Sequence, residues 1–402
     1  MVHVLFLVAK CSVPGLLWGM ANETSLQAEI FSRLADIGQE AWDDLAGPNN
    51  PFVSYGFLSA LEDSGSVGEA TGWHPRYLAI RGAGGEVEAV APCYAKTHSY
   101  GEYVFDQSWA NALVRAGGHY YPKLQVAVPF SPVPGPRLLT RARDSFRFDT
   151  ILAALVAKAG FSSAHVTFCT KSEWQMLGEA GWLQRLGLQF HWENLEYQNF
   201  ENFLEALSSR KRKSIRRERR EAQAGLTFRI LSGPDISPVL WRRFYDFYLS
   251  TVERKWGGAY LTPEFFPLLG QRLGERVVLM LAERNGRPIA GALNLVGGDV
   301  LYGRNWGCVE DVPFLHFELC YYQAIEYAIA KGLKRVEAGA QGEHKIQRGY
   351  LPQLTYSAHY IAHPGLREAV ARFLDAEQQT ITQAMAALTA EGPYKSEGMP
   401  AL

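Results

Sequence analysis

VVLMLAERNGRPIAGALNLVGGDVLYGRNWGC, residues 277–308, decides how this chain is read. Three apolar, β-branched runs (276–283, 288–296 and 299–306) alternate with short glycine-containing turns, the pattern of an antiparallel meander. Asn285-Gly286 is a dipeptide of type I′ hairpin turns, in which both central residues take positive φ. Outward from the meander, the pattern predicts a helix over 313–331, a strand over 334–338, the polar loop AGAQGEHKIQRGYLP (338–352), a strand over 354–362 and a terminal helix over 365–388. Asp311 is expected to cap helix 313–331, with Pro313 where a missing N–H is harmless and Gly332 as the stop. Before the meander come a basic helix over 200–222, a strand over 226–231 and helices over 236–254 and 262–273.

Half a chain upstream, LAIRGAGGEVEAVAP (78–92) repeats the strand–turn–strand of LAERNGRPIAGAL (281–293). Such self-similarity predicts two related halves, as does a length of 402 residues. The first half reads as strand 25–31, helices 36–45 and 53–64, strands 75–81 and 87–96, helix 106–116, strand 123–130, the Pro-rich loop SPVPGPRLL (131–139), helix 148–159, strand 163–169, helix 171–181 and strand 187–196. The fold class is α/β (α+β), with a mixed, mainly antiparallel sheet flanked by helices in each half. The expected divisions are an N-terminal extension at 1–22, a first domain at 23–199, a second at 200–390 and a flexible tail at 391–402.

Composition is that of an ordinary globular protein with a formal net charge of −1. Nucleic acid or membrane would have to be met by a local patch rather than a global field. Five scattered cysteines without a C-x-x-C pair exclude a disulfide framework and point to a reducing compartment. No metal-ligand spacing occurs. MVHVLFLVAKCSVPGLLWGMA (1–21) is broken by Lys10 and Pro14, too short to span a bilayer and without a basic leader region, so Met20 is a candidate start.

Three stretches carry a family resemblance: SSRKRKSIRRERREAQAGLTFRI (208–230), LYGRNWGCVEDVPFLHFELCYYQAIEYAIAKGLKRVEAGA (301–340) and GEHKIQRGYLP (342–352). They resemble the second half of FemAB-like acyltransferases of the GNAT (acyl-CoA N-acyltransferase) superfamily, whose Lys-x-x-Phe-Gly element the last one parallels. With GEYVFDQSWA (101–110) and HYYPKLQVAVPFSPVPGPRLL (119–139), the chain is similar to a bacterial branch described as peptidoglycan biosynthesis or recognition. The resemblance implies two tandem GNAT-like domains and places Lys345 at the functional lysine of FemAB proteins. The chain departs from the pattern in two places. Arg348, Gly349 and Tyr350 stand where the phenylalanine is expected, and the pyrophosphate loop of acetyl-CoA enzymes has no clean copy, since Arg287 to Ala292 lies in a hairpin.

Glu343, His344, Lys345 and Arg348 form the densest polar cluster in a loop after a core strand, where open sheets present ligand sites. Lys345 could stabilise an oxyanion or a phosphate, and Glu343 or His344 could take a proton from an amine. The plain alternative is a salt-bridged surface loop. Tyr350 closes this loop as a substrate contact. His316 is a candidate base or a core histidine between Phe314 and Phe317. Arg304 and Asn305 could bind a carbonyl while Trp306 excludes water, or all three could be strand residues of no special role.

Segment 210–220 holds eight basic residues against Glu218. Such a helix lacks the interleaved opposite charges of a solvated face. Arg212, Arg216 and Arg220 are therefore candidates for a polyanion: tRNA, a lipid-linked pyrophosphate or CoA. In the first half, Tyr103, Asp106 and Lys123 sit among aromatics and Arg137, in a pattern that suits a sugar or peptide groove or an aromatic domain interface. The Pro-rich loop is expected to wall a cleft.

These features predict an N-acyltransferase that moves an aminoacyl or acyl group onto an amine, with no tightly bound cofactor. The resemblance implies an aminoacyl-tRNA donor, a peptidoglycan-precursor acceptor and a cytoplasmic site peripheral to the inner membrane. The alternatives are an acyl-CoA-dependent N-acetyltransferase and a non-catalytic binder of cell-wall fragments or RNA.

Overall fold

A computed structural model describes residues 7–10, 25–141, 146–254, 258–340 and 342–395. Most of the expected N-terminal extension, with Cys11, and the end of the expected tail lie outside the described residues. The chain divides into two compact units. One comprises residues 1–47, 52–186 and 355–378, the other residues 48–51, 187–354 and 379–402.

The strands that begin in the first unit are β1 (Leu7–Lys10), β2 (Ser25–Phe31), β3 (Trp73–Pro75), β4 (Tyr77–Arg81), β5 (Val87–Ala91), β6 (Cys93–Lys96), β7 (Lys123–Val126), β8 (Leu139–Thr140), β9 (Ser163–Cys169) and β10 (Leu183–Glu193). One antiparallel sheet runs β1-β2-β4-β5-β8. A second array runs β9-β7-β6-β3, parallel only between β7 and β9. The expected strand 87–96 divides at Pro92, which has no N–H for a ladder; the halves enter different sheets. Helices α1 (Gln39–Ala46), α2 (Tyr55–Asp63), α3 (Gln107–Arg115), α4 (Phe148–Ala159) and α5 (Lys171–Glu179) complete the unit. Ser54 caps α2, and Thr170 with Glu173 forms a capping box on α5. Leu78, Leu124, Ile151, Leu155 and Val166 meet in its core.

In the second unit the strand order is β11-β12-β13-β14-β15-β10, using residues of β10 from Gly187 on. The new strands are β11 (Thr227–Ser232), β12 (Val277–Arg284), β13 (Arg287–Gly297), β14 (Val300–Cys308), β15 (Arg335–Glu337) and β16 (Leu351–Ile361). All pairs in this order are antiparallel except β14 with β15. The helices are α6 (Phe200–Ala206), α7 (Ser209–Gln223), α8 (Pro238–Arg254), α9 (Phe265–Leu273), α10, built from Leu315–Phe317, the π-helical Glu318–Tyr322 and Gln323–Ala330, and α11 (Pro364–Ala390). Trp192, Ile215, Met280, Leu301, Leu319 and Val336 are buried together, so α7 and α10 cover one face of the sheet. On α8, Ser250 and Thr251 donate to the carbonyls of Cys308 and Trp306, each at 2.8 Å.

Both repeated segments are hairpins, β4–β5 and β12–β13, and each has a register shift close to its turn. Asn285 and Gly286 take φ of 51° and 74°, as a type I′ turn requires.

Three local expectations are corrected. The single helix over 200–222 is two helices, because Leu207 is extended, fully buried and bridged to Tyr394. Gly392 to Lys395 are not a loose tail: Tyr394 is buried and its hydroxyl donates to the Gly349 carbonyl at 2.7 Å, while Lys395 N donates to Ala206 O at 3.0 Å. Helix α10 begins at Leu315 after Phe314 in a left-handed conformation (φ 61°), which separates Asp311 from the helix it was expected to cap.

Candidate active site

Strands β14 and β15 pair at only three positions, ending with Tyr302 opposite Glu337. β14 runs on to Cys308 against β13, and the chain after Glu337 leaves it for a 3-10 turn, Glu343–Arg348. Asn294 pairs with Gly303 and Leu293 with Asn305, so Arg304 is the inserted residue of a β-bulge. Bulges bend a strand and re-aim its side chains, often beside an active site. Arg304, Asn305 and Trp306 are half-buried there.

The 3-10 turn is bracketed by Gly342 (φ 115°) and Gly349 (φ 92°), positions that suit glycine. Between them, Lys345 is buried and donates from Nζ to the Gly339 carbonyl at 2.8 Å. His344 is exposed, with Nε2 2.9 Å from the Tyr321 hydroxyl oxygen. The His316 ring lies 5.0 Å from Trp306, 5.3 Å from Tyr321 and 6.2 Å from His344, centre to centre. Four candidate contacts from β14, α10 and the 3-10 turn thus meet beside the bulge. Desolvation, then the charges of Arg348 and Lys345, lower the pKa of His344 and favour the neutral imidazole that a base requires.

Arg348 and Tyr350 are internal supports. Arg348 donates to the His344 carbonyl at 2.7 Å and to Glu218 at 2.9 Å, and its guanidinium lies 3.5 Å over the Phe317 ring. Tyr350 is fully buried and donates to the Tyr321 carbonyl at 3.4 Å. Glu343 is exposed.

Sequence reasoning missed Tyr321 and Glu337. Tyr321 lies in the π-helical segment, where one extra residue per turn shifts the apolar stripe that the α-helical pattern assigns. Glu337 is buried opposite His191, their side chains 3.8 Å apart, and burial pushes its pKa to about 8 and that of His191 down to about 3. A lone carboxylate in an apolar strand pattern was the available signal.

The charges of α7 are partly matched. Arg216 pairs with Glu201, Arg217 with Glu221, and Arg219 with Glu318 and Glu326. Among the described residues, Arg210, Lys211, Arg212, Lys213 and Arg220 have no carboxylate partner. A groove of about 560 Å³ beside the helix is lined by Phe200, Arg216, Arg219, Arg220 and Gln223.

In the first unit, Asp106 and Lys123 are brought together inside the protein rather than on a groove wall. Lys123 Nζ donates to Asp106 at 2.5 Å, Glu102 at 2.7 Å and Ser99 at 2.9 Å, and the lysine is fully buried. Tyr103 stays partly exposed on a left-handed backbone (φ 60°). The short parallel pair β7–β9 matches β14–β15, but its far end is filled. Residues 127–133 are buried, Gly135 N donates to Phe168 O at 3.0 Å, and Arg137 Nε donates to Thr167 O at 3.0 Å. The Pro-rich loop therefore plugs this opening instead of walling a cleft.

The sequence matches the FemAB-like family, described as peptidoglycan biosynthesis/recognition, over residues 33–396. This chain belongs to the FemAB-like family. Among solved structures, FemX is 13% identical with a TM-score of 0.52, covering 84% of this chain and 99% of FemX. L-PGS from Bacillus licheniformis is 11% identical with a TM-score of 0.52, covering 85% of this chain and 97% of L-PGS. At such identities the likeness is one of fold, and this FemAB-like protein shares with both a mixed α/β architecture with a large, mainly antiparallel sheet. No curated protein sequence matches it. Among the described residues no helix is long and apolar enough to cross a membrane, and no cluster of three metal-ligating side chains occurs.

Proposed function

We propose that this FemAB-like protein is an N-acyltransferase whose reaction takes place in the second half, at the bulge of β14. The observation that carries this reading is the meeting of His344, His316 and Trp306 where β14 and β15 part, with the buried Lys345 next to His344 in the same turn. The family description favours a peptidoglycan precursor as the amine acceptor, and an aminoacyl-tRNA as donor suits the unmatched charges of α7.

The amine lone pair attacks the acyl carbon of the ester, forming C–N, and the C–O bond to the ribose breaks. The ammonium proton passes to His344 and from there to the departing ribose oxygen. Lys345 and the Arg304–Asn305 bulge face the charge that develops on the acyl oxygen. Holding donor and acceptor in line can supply about 7–11 kcal/mol of the acceleration, so modest catalytic groups suffice.

Binding of uncharged tRNA across a salt series, with CoA in parallel, tests the donor. Binding that falls steeply with salt and disappears in the Arg212→Glu, Arg216→Glu, Arg220→Glu triple variant is expected. CoA binding without tRNA binding would move the protein to acyl-CoA chemistry, and binding of neither would favour a non-catalytic recognition protein. Lys345→Ala is expected to fold and to lose turnover; full activity in that variant removes Lys345 from the mechanism.

A further inference from the structure

Glu218 is the acidic residue inside the basic run of α7, and its environment differs from that of its neighbours. It is buried, and one of its oxygens accepts from both Arg348 (2.9 Å) and the Tyr322 hydroxyl, while Ser214 donates to the other at 3.4 Å. Arg348 ends the 3-10 turn that carries His344 and Lys345, and holds that turn's own carbonyl at His344. Glycines in left-handed conformations bracket the turn, and at its end Gly349 is buried with its carbonyl accepting from the Tyr394 hydroxyl at 2.7 Å. The next residue of α7, Arg219, lines the groove, with its guanidinium held by Glu318 and Glu326.

We propose that Glu218 is a positioning residue: through Arg348 it sets the turn that presents His344 and Lys345, tying those groups to the helix that would hold the donor. The proposal rests on the site reading above and adds a residue to it. Removing the charge of Glu218 would weaken the tie to Arg348, leaving a buried guanidinium with a neutral acceptor in place of a carboxylate. The turn would then lose the side-chain tie to α7 and keep the Tyr394–Gly349 bond, while the remainder of the second-unit core stays packed.

Amide hydrogen exchange over residues 342–350, with the rate of His344 carbethoxylation by diethyl pyrocarbonate, tests this in the full chain. The variants are Glu218→Gln, Glu218→Asp and, as a control on the same helix, Arg217→Gln, whose partner Glu221 is exposed. Glu218→Gln is expected to exchange the turn's amides about tenfold faster, because a hydrogen bond between two charged groups becomes one to a neutral acceptor in a local opening equilibrium. His344 should be modified faster, Glu218→Asp should recover part of both effects, and Arg217→Gln should match the wild type. Unchanged exchange of the turn in folded Glu218→Gln overturns the proposal, as does acceleration spread evenly over the whole unit. If Glu218→Gln fails to melt cooperatively, Arg348→Gln takes its place and leaves the Glu218–Tyr322 bond intact; the same two outcomes decide. tRNA binding is measured on the same samples. Its absence in the wild type would sink the donor assignment alone, whereas its retention in Glu218→Gln beside a loosened turn separates positioning from binding.

Discussion

The hydroxyl of Tyr321 and Nε2 of His344 lie 2.9 Å apart, joining a π-helical segment to a turn more than twenty residues later. The bond holds the imidazole by one nitrogen without setting its pKa, which is lowered from 6.5 by partial desolvation of an otherwise exposed residue, then by the charges of Arg348 and Lys345. The His344 proton resonance should therefore titrate below the ordinary histidine midpoint in both the wild type and Tyr321→Phe. Carbethoxylation of His344 should be faster in the variant, where Nε2 is released. A midpoint restored to 6.5 by Tyr321→Phe alone would contradict this division of roles.

Glu337 makes stability depend on pH with a definite sign. Its folded pKa is raised from 4.5 to about 8, so the folded protein holds a proton that the unfolded chain releases first. Stability from this group is full below about 4.5 and is lost as pH rises toward about 8. In thermal melts between pH 5 and 8, the Tm of the wild type relative to that of Glu337→Gln should fall as pH rises, the neutral buried His191 contributing a common opposite slope to both proteins. An identical slope in the two proteins would mean the carboxyl ionises freely.

Gly307 lets β14 approach α8. A Cβ there would fall 1.7 Å from the Phe247 carbonyl oxygen, a backbone atom that cannot step aside. Gly307→Ala is expected to destabilise by about 3 kcal/mol or more, in the range of core overpacking and backbone displacement. Urea denaturation reads this directly, and a variant within 1 kcal/mol (roughly the spread of ordinary substitutions) would show that α8 can shift.

Arg137 holds the plug of the first half. Its guanidinium donates to the carbonyls of Val133, Gly135, Pro136 and Thr167 and has no exposure to solvent. Arg137→Met keeps the length but leaves those acceptors without this donor, and should cost roughly 3 kcal/mol or more. Limited proteolysis near residues 131–136 should accelerate along with the fall in Tm.

Much of the fold was legible because it is encoded locally. The hairpin at Asn285-Gly286, the meander, a helix over most of 313–331 and a polar loop after the next strand follow from short-range period and turn chemistry, and so does the placing of Lys345 after β15, whereas the π-helical Glu318–Tyr322 and the 3-10 form of the loop do not. Features that depend on distant partners were hidden. The break at Leu207 needs Tyr394, the bulge at Arg304 is a matter of register with β13, and the plug depends on carbonyls of β9 reaching Arg137. The excess charge of α7 was read correctly as excess but not in its distribution, since Glu201, Glu318 and Glu326 come from other elements. Polar residues such as Asp106 and Lys123 gave no sign in sequence that each would be the other's buried counter-charge.

The filled opening beside β9 has a stoichiometric consequence. A chain built on one plan twice would ordinarily offer two equivalent seats for an acyl donor. Here the first is occupied by the protein's own prolines, so saturation with a reactive donor analogue should end at a single equivalent per polypeptide. On the reading proposed above, that single equivalent belongs to the second half.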